Sequence, residues 1–205
     1  MQPIRTNDPE GTREAILDAA KRLFVERGFA GTSMSEVAKL SGVTKSLIHH
    51  HFGSKEKLWG EVKARSFDEY AALQKGMLLT RKGGDLSLLT DSIKAYFDFL
   101  KADPQLVRMM SLMFLDGDEN CPLAQDELIE LGTQRLREAQ SEGALRADVD
   151  PAHVIFIFLA CALHWFETKK VFATSVTHKD LDAPAADDEF LGDFIKIFFD
   201  GVRPR

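Results

Sequence analysis

Residues Ser33 to Lys57 read SMSEVAKLSGVTKSLIHHHFGSKEK. Ser33 followed three residues later by Glu36 forms a capping box, and Met34, Val37 and Ala38 then share one face of a short helix that stops at Gly42. Thr44 caps a second short helix, Lys45 to Phe52, and Gly53-Ser54 breaks and recaps the chain for a third that begins at Lys55. The spacing suits two short helices crossing steeply around a turn of about three to four residues. Ala38 is small where the helices approach, Gly42 is free to take positive φ, and Val43 and Ile48 are apolar where they plug the space beneath the turn. This is a helix-turn-helix, in which the second helix enters the major groove of DNA and the first crosses its backbone.

Upstream, Ile16, Ala19, Ala20, Leu23 and Phe24 fall at i, i+3, i+4, i+7 and i+8, the apolar stripe of a helix from near Thr12 to Gly28. Downstream, the helix from Lys55 meets few breakers and runs to about Leu79, before the Arg81-Lys82-Gly83-Gly84 loop. Further helices are expected at Leu86 to Ala102, Pro104 to Leu115, Pro122 to Glu142, Pro151 (capped by Asp150) to Phe172, and Asp187 to Asp200, with a polar loop over Thr174 to Ala186. No segment alternates with period 2, so the fold class is all-α: an N-terminal three-helix helix-turn-helix unit followed by a longer helical bundle. The expected division is an arm over residues 1–11, the DNA-binding domain over 12–58, and the body over 59–205.

The chain has 205 residues, 44% hydrophobic and 28% charged, enough to bury a core and far from the composition of disordered chains. Cys121 and Cys161 are read as reduced thiols, because a core of this size needs no disulfide. The first residues contain no apolar stretch, and the longest apolar run, Val154 to Leu163, is short of the roughly 18 residues that cross a bilayer. A soluble, cytoplasmic protein with no membrane partner is expected. The net charge of −6 is uneven: residues 1–60 carry nine Lys/Arg against seven Asp/Glu, whereas the remainder carries 17 against 25. A polyanion is therefore repelled by the long C-terminal part and tolerated by the N-terminal one.

On a two-turn helix starting at Lys45, the groove-facing side includes Lys45, Ser46 and His50, while Ile48 and Phe52 face inward. Leu47 has two open readings, contact with a thymine methyl or plain packing. Thr32, Ser33, Thr44 and Lys55 sit at helix N-termini, where they cap, hold phosphates, or do both. His49, His50 and His51 cannot converge on one ion, because adjacent helical residues point about 100° apart, so no metal is expected. Ser54-Lys55-Glu56-Lys57 has the spacing of an acyl-enzyme motif without its companions, and no phosphate-cradling glycine loop, HExxH or paired-cysteine motif occurs. No catalyst and no cofactor are expected.

Gly31-Thr32-Ser33, Val37-Ala38, Ser41 to Ser46 and Phe52 to Leu58, preceded by Ile16 to Ala20 and Leu23-Phe24, resemble the TetR/AcrR family of transcriptional regulators over about the first 60 residues. The resemblance implies a three-helix DNA-binding domain, an all-helical ligand-binding body and a homodimer joined through the last two helices. It also marks a departure. The family's usual Leu-Tyr is here Ile48-His49, so an imidazole takes the place of the phenol that commonly meets a phosphate.

The body is rich in Met and aromatic side chains, which suit either a cavity for an apolar guest or an ordinary helical core. The pocket itself is implied by the resemblance. Its expected lining is Tyr70, Phe97, Met110, Met113, His164 and Trp165. Phe190, Phe194, Ile197 and Phe198 form an i, i+4, i+7, i+8 stripe that a second copy would cover, and Phe158 is grouped with them. The expected function is a sequence-specific regulator, a repressor released from a palindromic double-stranded operator by a small lipophilic effector. The rival is a helical lipophile-binding protein or enzyme that has lost the DNA role.

Overall fold

The computed structural model describes residues 8–81, 86–118, 120–121, 126–181 and 185–204. Among these, all regular structure is helical: α1 (Pro9–Arg27), α2 (Met34–Ser41), α3 (Lys45–Phe52), α4 (Lys55–Thr80), α5 (Leu86–Ala102), α6 (Pro104–Leu115), α7 (Asp126–Ser141), α8 (Pro151–Thr168), a π-helical turn Lys169–Ala173, α9 (Thr174–Thr177) and α10 (Ala186–Val202). The chain divides into two compact units, Met1–Asp68 with Arg108–Pro122, and Glu69–Val107 with Leu123–Arg205. The first unit thus reaches past residue 58 along α4 and takes in most of α6.

In the first unit, Asp8 caps α1 by accepting from the Gly11 amide at 2.9 Å. Ile16, Leu17, Ala20, Leu23 and Phe24 of α1 are buried, as are Val37, Ala38, Ile48, Phe52, Leu58 and Val62 of the following helices, and α1 packs on α2 and α2 on α3. Each large aliphatic or aromatic side chain buried here contributes about 1.5–3 kcal/mol. Ion pairs tie α1 to α4: Arg13 reaches Glu61 at 2.5 Å, and Arg65 reaches Glu14 at 2.6 Å and Asp18 at 2.7 Å. Arg108 of α6 donates from Nε to the Val25 carbonyl at 2.7 Å, satisfying an orphan acceptor at the end of α1. Lys63 is almost fully buried; its Nζ donates to Asp118 Oδ2 at 2.7 Å and to the Asn120 carbonyl at 2.9 Å, and the Trp59 indole donates to the same carboxylate oxygen at 2.8 Å.

In the second unit, α8 packs on α5 and α7, and α10 on α5. Trp165 and Lys169 both donate to Oδ1 of buried Asp187, each at 2.8 Å, fastening the end of α8 to the start of α10. Helical structure runs past the expected end at Phe172 to Thr177, into the expected polar loop, and there the Thr174 hydroxyl donates to the Lys169 carbonyl, Ser175 to Val171 and Thr177 to Ala173. The segment Pro151–Thr177 is, by length and composition, long and apolar enough to cross a membrane. Its inward residues Val154, Phe158, Ala162, Leu163 and Trp165 are buried in the second unit. The expected start of the seventh helix at Pro122 lies outside the described residues.

Candidate functional site

The candidate DNA-reading element begins at Ser33. Its hydroxyl accepts from the Glu36 amide at 3.3 Å, and Glu36 Oε2 accepts from the Ser33 amide at 3.0 Å. The Ser33 hydroxyl also donates to the same Glu36 oxygen at 2.7 Å, and this bond, the Ser33 amide and the charge of Arg27 together hold the Glu36 carboxyl below its ordinary value. Helix α2 ends where Gly42 takes the left-handed conformation at φ 74°, a position that costs any residue with a Cβ. The Thr44 hydroxyl then accepts from the Leu47 amide at 3.2 Å and starts α3.

On α3, Ile48 is fully buried and Phe52 nearly so, which fixes the helix about its own axis. Lys45, Ser46, His49 and His50 consequently share the exposed side, at i, i+1, i+4 and i+5. Leu47 is half-buried at its edge. His49 Nδ1 donates to the Gly53 carbonyl at 2.7 Å, which leaves Nε2 as the imidazole's outward atom. Ser33 and Thr44 are exposed, with their hydroxyls already engaged in the caps. Thr32 differs from them. It is 3% exposed, and its hydroxyl donates to the Gly28 carbonyl at 2.9 Å, so its side chain braces the turn rather than facing outward. The Lys55 ammonium lies 4.3 Å from the centre of the Phe29 ring, a cation–π contact at the start of α4. Among the described residues no group of three or more His, Cys, Asp or Glu is placed to hold a metal.

The residues matching the two halves of one family decide what this element belongs to. The model described as "Bacterial regulatory proteins, tetR family" matches residues 16–62, and that described as "Tetracyclin repressor-like, C-terminal domain" matches 89–189. The chain belongs to the TetR/AcrR family of transcriptional regulators. This TetR/AcrR chain is 28% identical to the HTH-type transcriptional regulator RutR of Escherichia coli strain K12, over 98% of the chain and 95% of RutR. It is 21% identical to the HTH-type transcriptional repressor NicS of Pseudomonas putida, over 98% and 96% respectively. Among solved structures, the protein SCO4942 of Streptomyces coelicolor superposes with a TM-score of 0.72 at 25% identity, covering 94% of this chain and 99% of that one. The ketosteroid transcriptional regulator KstR2 of Mycobacterium tuberculosis shares the fold, with a TM-score of 0.69 at 18% identity and 98% of each chain covered.

The second unit of this TetR/AcrR chain holds a half-open cavity of about 80 Å³. Its walls come from one face of α4 (Tyr70, Gln74, Leu78), the first half of α5, α7 (Leu128, Ile129, Gly132, Arg135, Leu136, Ala139) and α8 (Ile155, Phe158, Leu159). Gly132 permits the close approach of α7 to α8: a Cβ there would sit 3.2 Å from the Ile155 Cδ1. Of the six expected lining residues, Tyr70 is on the wall and the others lie elsewhere. Phe97 is buried against Phe166, with ring centres 4.7 Å apart. Met110 and Met113 are core residues of the first unit. The His164 side chain is 63% exposed, 3.7 Å from Glu167, and the Trp165 indole is committed to Asp187. Met and aromatic content misleads here because such residues fill any core. The usable signal was the i, i+1, i+4, i+7, i+8, i+11 spacing of the α7 wall.

The expected pairing stripe is likewise divided. Phe158 is buried on the cavity wall, Phe198 is buried, Phe190 and Phe194 are half-buried, and Ile197 is 74% exposed. Phe190 stacks on Trp165 with ring centres 4.0 Å apart, so much of the stripe is consumed within its own unit. Apolar surface is also open on α8, where Phe156 is 69% and Ile157 46% exposed beside exposed His153, Cys161 and His164, and beyond it at Val171, Phe172 and Val176. Because α8 is apolar all round, periodicity could not separate its two sides.

Proposed function

We propose that this regulator is a homodimeric repressor that leaves a palindromic operator when a small lipophilic effector occupies its body. The carrying observation is the exposed α3 side bearing Lys45, Ser46, His49 and His50, backed by the buried Ile48 and Phe52. Lys45, Ser46 and His50 read base edges, with Leu47 at their margin, while His49, Ser33, Thr44 and Lys55 meet phosphates. Thr32 supports Ser33 from within.

Two copies pair through the open apolar side of α8 and the exposed Ile197 of α10, which also accounts for the apolar character of α8 without a membrane. A two-fold dimer sets its recognition helices about 34–36 Å apart, matching successive major grooves of a palindrome. The effector lodges against Tyr70, Gln74 and Leu78 of α4, the same helix that begins at Lys55, and favours a separation that no longer fits the operator. A coupling of about 1–3 kcal/mol is typical of such switches, and it is reciprocal. The protein acts in the cytoplasm by binding, not by catalysis.

The test is a binding titration with duplexes from the protein's own upstream region. Lys45→Ala removes a base-reading group and relaxes operator choice while the dimer persists; Lys55→Ala weakens all sequences alike and flattens the salt slope by about one. Failure of the wild type to retain any such duplex at low salt would defeat this reading.

A further inference from the structure

The cavity of the second unit has two chemically different ends. Tyr70, Gln74 and Leu78 stand at i, i+4 and i+8 on α4, so the wall they make is about 12 Å long at 1.5 Å per residue. At one end the buried phenol of Tyr70 is hydrogen-bonded by the Gln74 side chain, and Gln74 Nε2 donates to the Ser92 carbonyl at 3.0 Å. Burial drives the phenol's proton loss far above its ordinary range, with the Gln74 bond opposing only in part, so this end holds neutral donors and acceptors and no ion. Between the ends, the wall is Leu, Ile, Ala and Phe.

At the other end stands Arg135, the one formally charged side chain among the described residues of the wall. Its Nε donates to the Leu78 carbonyl at 2.8 Å, and its Nη1 to Glu138 Oε2 at 2.6 Å. The guanidinium charge is therefore already balanced. A ligand carboxylate placed beside it would compete with Glu138, and at the Tyr70 end it would be buried with no cation at all. An ammonium would find no free carboxylate on the wall.

We propose that the effector is an elongated, uncharged lipophile carrying one hydrogen-bond acceptor, a ketone, ester or alcohol oxygen, that takes the Tyr70 hydroxyl proton at the Gln74–Ser92 end. This rests on the effector reading above and specifies its chemistry.

Four ten-carbon probes with the same tail test it on the purified full-length chain: decan-2-one, 1-decanol, decanoate and decylamine, titrated by calorimetry at neutral pH. The neutral pair binds at least about tenfold more tightly than either ion, because the wall offers an ion no compensation. Tyr70→Phe, which keeps the ring, lowers affinity for decan-2-one by about two- to tenfold, the worth of one neutral hydrogen bond. Should that variant not fold, Gln74→Leu gives the same comparison. Tighter or equal binding of decanoate or decylamine overturns the proposal, as does the absence of binding by all four, or an unchanged ketone affinity in the folded variant. Operator binding without any probe is measured on the same samples. Its loss counts against the regulator reading, whereas its persistence beside a failed probe series counts against the effector chemistry alone.

Discussion

His49 Nδ1 and the carbonyl oxygen of Gly53 lie 2.7 Å apart, and this bond closes the C-terminal turn of α3 with the side chain that faces outward from it. With Nδ1 committed, a neutral His49 presents only an acceptor at Nε2, while a protonated one presents a donor. His49→Phe removes both the cap and the proposed phosphate contact, and is expected to lower operator affinity by about ten- to a hundredfold, the range of a hydrogen bond to a charged group. Fluorescence anisotropy over a salt series checks this; a shallower salt slope accompanies the loss if the contact is to phosphate.

The cap of α2 has its own pH signature. The folded state holds the Glu36 carboxyl below its ordinary value of 4.5, chiefly through the Ser33 hydrogen bonds. A lowered folded value means that the unfolded chain takes up the proton first. The stabilisation is thus complete above pH 4.5 and is lost as pH falls through the lowered value. Ser33→Ala is expected to cost roughly 0.5–2 kcal/mol at neutral pH, and to cost progressively less below the glutamate range. Thermal melts of both proteins from pH 7 to pH 3 read the convergence.

Asp118 and Lys63 form a buried pair whose two members are not equivalent. Burial raises the Asp118 value, but the Lys63 and Trp59 hydrogen bonds outweigh it and leave it lowered. Asp118→Asn strands an almost fully buried ammonium, so it is expected to destabilise the protein by about 3–5 kcal/mol. Lys63→Met leaves a more exposed carboxylate still held by Trp59 and the Asn120 amide, and costs less. Urea denaturation of the two variants orders them; a milder Asp118→Asn would remove the pair from the core of the first unit.

The open face of α8 yields a prediction about assembly. Phe156→Glu places a carboxylate where the proposed dimer needs an apolar side chain, and an uncompensated buried charge is not tolerated there. Sedimentation equilibrium is expected to show monomer at concentrations where the wild type is dimeric. Circular dichroism stays unchanged, because Phe156 is 69% exposed within its own chain. Operator affinity falls with the dimer. A dimeric Phe156→Glu protein would move the interface elsewhere.

Local chemistry accounts for what could be read from residue order. Caps at Ser33, Thr44 and Asp150 and the left-handed Gly42 act within one helical turn, so helices α2 and α3 and the start of α8 follow from neighbours in sequence alone. The outward side of α3 follows too, since two turns carrying a buried Ile48 and Phe52 leave little rotational choice. The body is different. Phe158 is buried on the cavity wall while Phe156, two residues away, is open to solvent, and the difference depends on where α5 and α7 pass. The same holds for the fastening of α8 to α10, which depends on Asp187 arriving to receive Trp165 and Lys169. An apolar side chain carries no mark of which neighbour will cover it, because hydrophobic burial is non-directional; a hydrogen-bonded cap does, because its partner is a few atoms along the same backbone.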